Sequence, residues 1–192
     1  MEAKRYVARS IFLVLLEGVL SVMPFGSSSL AVAMDVNEKR CDVADFSFSV
    51  KPSECASIKS YGSDVVTFGV RLTDMQIIKP ETARDSQMVV RVRPTDSSLP
   101  RSSTQIKERQ PDSTVEGRSE YKFPDLTIYH LQGMDGKPVY VSGGVMTWES
   151  NRIFGEGIEV LYQFDKARND FEALDGRLVE LLKQIGLKLE LK

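Results

Sequence analysis

One stretch near the end of the chain has helical spacing. In FEALDGRLVELLKQIG, residues Phe171, Leu174, Leu178, Leu181, Leu182 and Ile185 fall at offsets 0, 3, 7, 10, 11 and 14. These offsets put six apolar side chains on one face. Asn169 or Asp170 can cap the start, Gly186 suits the end, and Lys183 lies in the last turn where the helix dipole favours a cation. A helix with one apolar stripe must bury it against a second layer, and the rest of the chain offers strands for that layer.

Those strands are read from alternation. In DFSFSV, Phe46, Phe48 and Val50 share one face and Ser47 and Ser49 the other. In SDVVTFGVRL, Val66, Phe68, Val70 and Leu72 alternate with Thr67, Gly69 and Arg71. QMVVRVRP sets Met88, Val90 and Val92 against Arg91 and Arg93, which predicts a wet second face. Residues 126–164 read as a three-stranded meander: LTIYHLQ and PVYVSGGVMTW around a Gly-rich turn, then GIEVLYQF, with ESNRIFGEG as a connecting turn. The tail LKLELK is a short final strand. The expected fold class is α+β: an antiparallel sheet of about six strands covered by a C-terminal helix. Residues 95–124, rich in Ser, Pro and charge, are expected to form a long polar loop. Such a loop is either disordered or functional.

The N-terminus addresses compartment. Lys4, Arg5 and Arg9 precede an apolar stretch, and small residues end in Ala31-Val32-Ala33. That order predicts a signal peptide over 1–33, cut between Ala33 and Met34. The apolar run from Ile11 to Met23 is short for a membrane span and is interrupted by Glu17. The mature chain, 34–192, is then one domain without a membrane span, in the periplasm or, alternatively, outside the cell. Cys41 and Cys55 both remain after the cut. An even count in an exported chain predicts a disulfide; the alternative is two buried thiols.

Charge and motifs narrow function. The net charge is −2, and no basic run exists of the kind a nucleic-acid partner requires. One histidine, His130, and no ligand spacing argue against a metal site, and no cofactor motif is present. Alternation places His130 with Leu126 and Ile128, a partly buried structural position. No catalytic residue is assigned. Glu149, Glu156, Glu159, Asp165 and Asp170 leave a carboxylate-based hydrolase as a minor alternative. Candidate partner contacts are Trp148, Asn151, Arg152 and Phe154, because aromatics and Arg are enriched at binding hot spots. Trp148 and Phe154 suit the core at a sheet edge better than a contact surface, because most large aromatics are substantially buried. Arg101, Lys107 and Arg109 either are solvated or meet an acidic partner.

The order GKPVYVSGGVMTW, IEVLYQF, FEALDGRLVELLKQI, GLKLEL resembles the end of periplasmic immunity proteins. Bacteria with a type VI secretion system use these to neutralise their own lipase toxins. The same order is similar to the PsbP-like α+β fold, and CDVADFSFSVKPSEC is similar to the opening of such domains. The resemblance covers residues 41–78 and 124–191. It implies a non-enzymatic protein that binds a cognate toxin. The alternative is an envelope accessory protein, or a carrier holding a small apolar ligand against the sheet.

Overall fold

A computed structural model describes residues 38–62, 64–81 and 86–190. The expected signal peptide and the cut between Ala33 and Met34 lie outside the described residues. The α+β class holds, but the sheet is larger than expected. Ten strands form one sheet and three form a second.

The small sheet pairs β1 (Lys39–Val43) with β2 (Phe46–Val50), and β2 with the C-terminal β13 (Lys188–Leu189). A short helical turn, α1 (Pro52–Cys55), follows β2 and brings Cys55 to Cys41. The two cysteines form a disulfide with their Cα atoms 5.8 Å apart.

The large sheet is antiparallel throughout. Its strands in chain order are β3 (Lys59–Tyr61), β4 (Val65–Arg71), β5 (Ile77–Ile78), β6 (Gln87–Pro94), β7 (Ser113–Val115), β8 (Arg118–Lys122), β9 (Thr127–Gln132), β10 (Pro138–Gly143), β11 (Thr147–Phe154) and β12 (Ile158–Asp165). Across the sheet the order is β3-β4-β6-β12-β11-β10-β9-β8-β7, with β5 on β4. The C-terminal helix α2 (Phe171–Gln184) has the expected apolar face: Phe171, Leu174, Leu178, Leu181 and Leu182 are all buried. Asp170 occupies the N-cap position, yet its carboxylate binds Arg168 and does not cap the helix.

The inner face of the large sheet carries the main core. Val66, Phe68, Val70, Met88, Val90, Val92, Val160, Tyr162 and Phe164 cluster with α2 and with Phe46, Phe48 and Val50 of the small sheet. The outer face carries a smaller cluster of Ile106, Tyr121, Ile128 and Tyr140.

Three expectations are corrected. ESNRIFGEG is not simply a turn, because Glu149–Phe154 belong to β11, so the meander has four strands. The stretch 95–124 is not a structureless loop. It contains a 3-10 turn (Arg101–Gln105) and the hairpin β7–β8, and Ile106 and Tyr121 from it enter the outer cluster. The second face of β6 is only partly wet. Arg93 is half-buried against the buried carboxylate of Glu159, at 2.6 Å.

Candidate binding site

The β10–β11 hairpin ends in a tight tip. The Gly144 N–H donates to the Thr147 carbonyl at 2.8 Å, closing a two-residue turn on Val145 and Met146. Turn residues are normally polar, yet these two apolar side chains are 89% and 76% exposed. Beneath them Trp148 is half-buried and fixed. Its Nε1–H donates to the Lys166 carbonyl at 3.1 Å. Its ring lies over Gly143, where any Cβ would come within 2.6 Å of Trp148 Cζ3. Lys166 Nζ sits 5.3 Å from the ring centroid and donates to the Gly144 carbonyl at 2.5 Å. The tip therefore stands on a packed base.

Trp148 also lines a pocket of about 310 Å³, shared with Val115, Arg118, Tyr129 and Phe171. The three rings contact one another, with centroids 5.3–5.7 Å apart. Arg118 lies over the Phe171 ring and holds Glu172 by two hydrogen bonds of 2.6 Å. The site is thus an aromatic wall with a charged rim, beside an exposed apolar tip. That composition matches the anchor-and-rim layout of protein interfaces.

The other candidate contacts are placed elsewhere. Arg152 is fully buried on the inner face. It donates to Asp175 of α2 and to Asp135 in the β9–β10 turn, while the Tyr162 hydroxyl donates to Asp175 at 2.9 Å. Burial raises the Asp175 carboxyl above its usual range, and Arg152 only partly offsets this. At Asp135 the burial penalty is outweighed by hydrogen bonds from Arg152 and the Lys137 N–H, so its carboxyl lies below its usual range. Asn151 is 3% exposed and donates to Ser102 on the outer face. Neither Asn151 nor Arg152 is accessible to a partner. Phe154 is half-buried against the main core. Arg101 and Lys107 are exposed, and Arg109 stacks on Phe123 while binding Asp112. The segment holding these three cations crosses the outer face, whereas Trp148 packs with α2 on the inner face, so the structure does not bring them together.

His130 is half-buried, stacked on Tyr140 with centroids 4.8 Å apart, on the outer face rather than in the main core. Burial lowers its pKa. Four of the five carboxylates considered for hydrolysis have other partners: Glu159 binds Arg93 and the Arg101 N–H, Glu149 accepts from Gln163, Asp165 accepts from the Ala167 N–H, and Asp170 binds Arg168, while Glu156 is exposed. Among the described residues, no group of three or more His, Cys, Asp or Glu is placed to hold a metal ion, and no helix is long and apolar enough to cross a membrane.

Sequence reading missed Val145 and Met146. The available signal was a pair of large apolar residues within a turn, between Gly-Gly and Thr-Trp. No protein-family model matches the chain, and neither curated proteins nor solved structures yield a match.

Proposed function

We propose that this is an exported protein-binding protein whose contact surface is the β10–β11 tip with the Trp148 pocket beside it. The observation that carries the reading is the pair Val145 and Met146, almost fully exposed on a base held by Trp148 and Lys166. Exposed apolar side chains carried on a backbone turn that is already held lose less freedom on association, so more of their burial becomes affinity. The disulfide is compatible with an oxidising compartment. The partner class comes from the sequence resemblance: a secreted toxin, of lipase type, covered at its working surface.

The test is protection. Cells directing a lipase toxin to their own periplasm should be rescued by the wild-type chain. They should not be rescued by the double variant Val145→Asp, Met146→Asp, whose melting temperature should stay within a degree or so of wild type because the side chains are exposed. Equal rescue by both chains would remove the tip from the mechanism. Rescue from no toxin in a broad panel would remove the neutralising role.

A second reading has its own observation. An open groove of about 620 Å³ runs along α2, lined by Met75, Met134, Val179 and Leu181. Its size suits one small apolar ligand, held on the helix and not against the sheet. Lipid in organic extracts of the protein purified from its envelope would favour this carrier reading.

A further inference from the structure

The opposite edge of the large sheet holds a second pocket, on the outer face of β3, β4 and β6. It has a volume of about 380 Å³, and its lining includes Thr67, Arg91, Glu81, Val89, Pro80 and Tyr61. Thr67 and Arg91 are direct cross-strand partners, so their side chains lie together on one face.

Two features set this pocket apart. The Thr67 hydroxyl is buried, on a residue 4% exposed, and has no hydrogen-bond partner. A buried polar group left unpaired costs stability, and a valine in its place would not. Arg91 is half-buried beside it and, among the described residues, makes no ion pair or side-chain hydrogen bond, unlike Arg93 two residues on. Once the Thr67 side chain turns its hydroxyl into the pocket, that hydroxyl and the guanidinium both offer unused donors to a carboxylate, which accepts from both. Glu81 is exposed on the pocket wall, also without an ion-pair partner among the described residues. A plain anion would be repelled there, and an ammonium would be held. Val89 and Pro80 supply an apolar surface for what lies between, with Tyr61 exposed beside them.

We propose that this pocket binds a free amino acid, with its carboxylate on Arg91 and Thr67, its ammonium on Glu81, and its side chain against Val89 and Pro80. The site is separate from the β10–β11 tip, and its occupancy does not depend on the protein partner.

The experiment is a thermal-shift screen of the intact protein against the twenty amino acids, followed by calorimetry on the best one. Its N-acetyl and amide derivatives are compared, with inorganic phosphate as the anion control. Loss of either charged end should weaken binding about tenfold or more, the scale of one hydrogen bond to a charged group. Arg91→Gln should abolish the heat signal. Thr67→Val should weaken binding while raising the melting temperature without ligand, a combination that misfolding cannot produce. Val145→Asp should bind as wild type. Silence from all twenty amino acids would overturn the proposal. So would phosphate binding as tightly as the best amino acid, or binding unchanged in Arg91→Gln.

Discussion

Leu174, Leu178 and Leu182 of α2 close the inner face of the large sheet, whereas its outer face is partly closed by a segment rich in Ser, Pro and charge. On the inner face apolar side chains meet apolar side chains, and the buried Arg152 is paired with Asp175 and Asp135. On the outer face, among the described residues, a cluster of four, Ile106, Tyr121, Ile128 and Tyr140, is the buried apolar part. Elsewhere that face is held by specific polar contacts: Glu159 with Arg93 and the Arg101 N–H, and Asn151 with Ser102. The contrast separates two ways of burying a sheet. Apolar area dominates on one side; on the other, most of the fastening comes from named polar pairs, with the Thr67 hydroxyl left unpaired.

The largest expected effect comes from the one place where the inner face breaks its own rule. Arg152→Ala leaves the Asp175 carboxyl buried without its cation, a loss of about 5 kcal/mol, read from urea denaturation. A paired comparison follows. Leu178→Ala opens a cavity in the main core and should cost about 4 kcal/mol, whereas Ile106→Ala, in the four-residue cluster, should cost about 2 kcal/mol. Equal losses would mean that the two faces are packed alike. Glu159→Gln tests the polar fastening directly. Arg93 keeps some access to solvent, so the loss should be about 1–2 kcal/mol and smaller than that of Arg152→Ala.

The smallest effect is a pH dependence. Burial holds the His130 imidazole below its ordinary pKa, so the unfolded chain takes up a proton at higher pH than the folded chain. The stability tied to neutral His130 is fully present above the ordinary value, about 6.5. It declines as pH falls through that value toward the lower folded one. Denaturation midpoints at pH 7.5 and 5.5 should therefore differ more in wild type than in His130→Phe. An identical difference in both would place the imidazole outside the outer cluster's energetics.

The same contrast explains what was legible in the sequence. The inner face was readable because β2, β4, β6 and β12 alternate and α2 has helical spacing, and both patterns follow from one-sided apolar burial. β11 was not readable. Its Glu149-Ser150-Asn151-Arg152 run is polar on both faces, and the side chains that bind Glu149, Asn151 and Arg152 come from Ser102, Asp135, Gln163 and Asp175, distant in sequence. The β7–β8 hairpin was missed because its turn is Glu116-Gly117, with φ of 51° and 82°, in place of the Asn-Gly usual for such geometry. Trp148 was singled out by residue type and lies half-buried in the aromatic pocket. Asn151 and Arg152 were chosen by the same criterion and proved to be buried, since residue type says nothing about which way a strand turns it.

The central claim is that the chain is exported and works by holding a protein partner at the Val145–Met146 tip. Native mass spectrometry of the protein from its own envelope fraction, without reducing agent, tests this most directly. The expected species is a chain starting near Met34, two hydrogens lighter than its reduced mass from the Cys41–Cys55 bond, in a one-to-one complex that the double tip variant loses. A full-length chain with free thiols and no partner protein would contradict it.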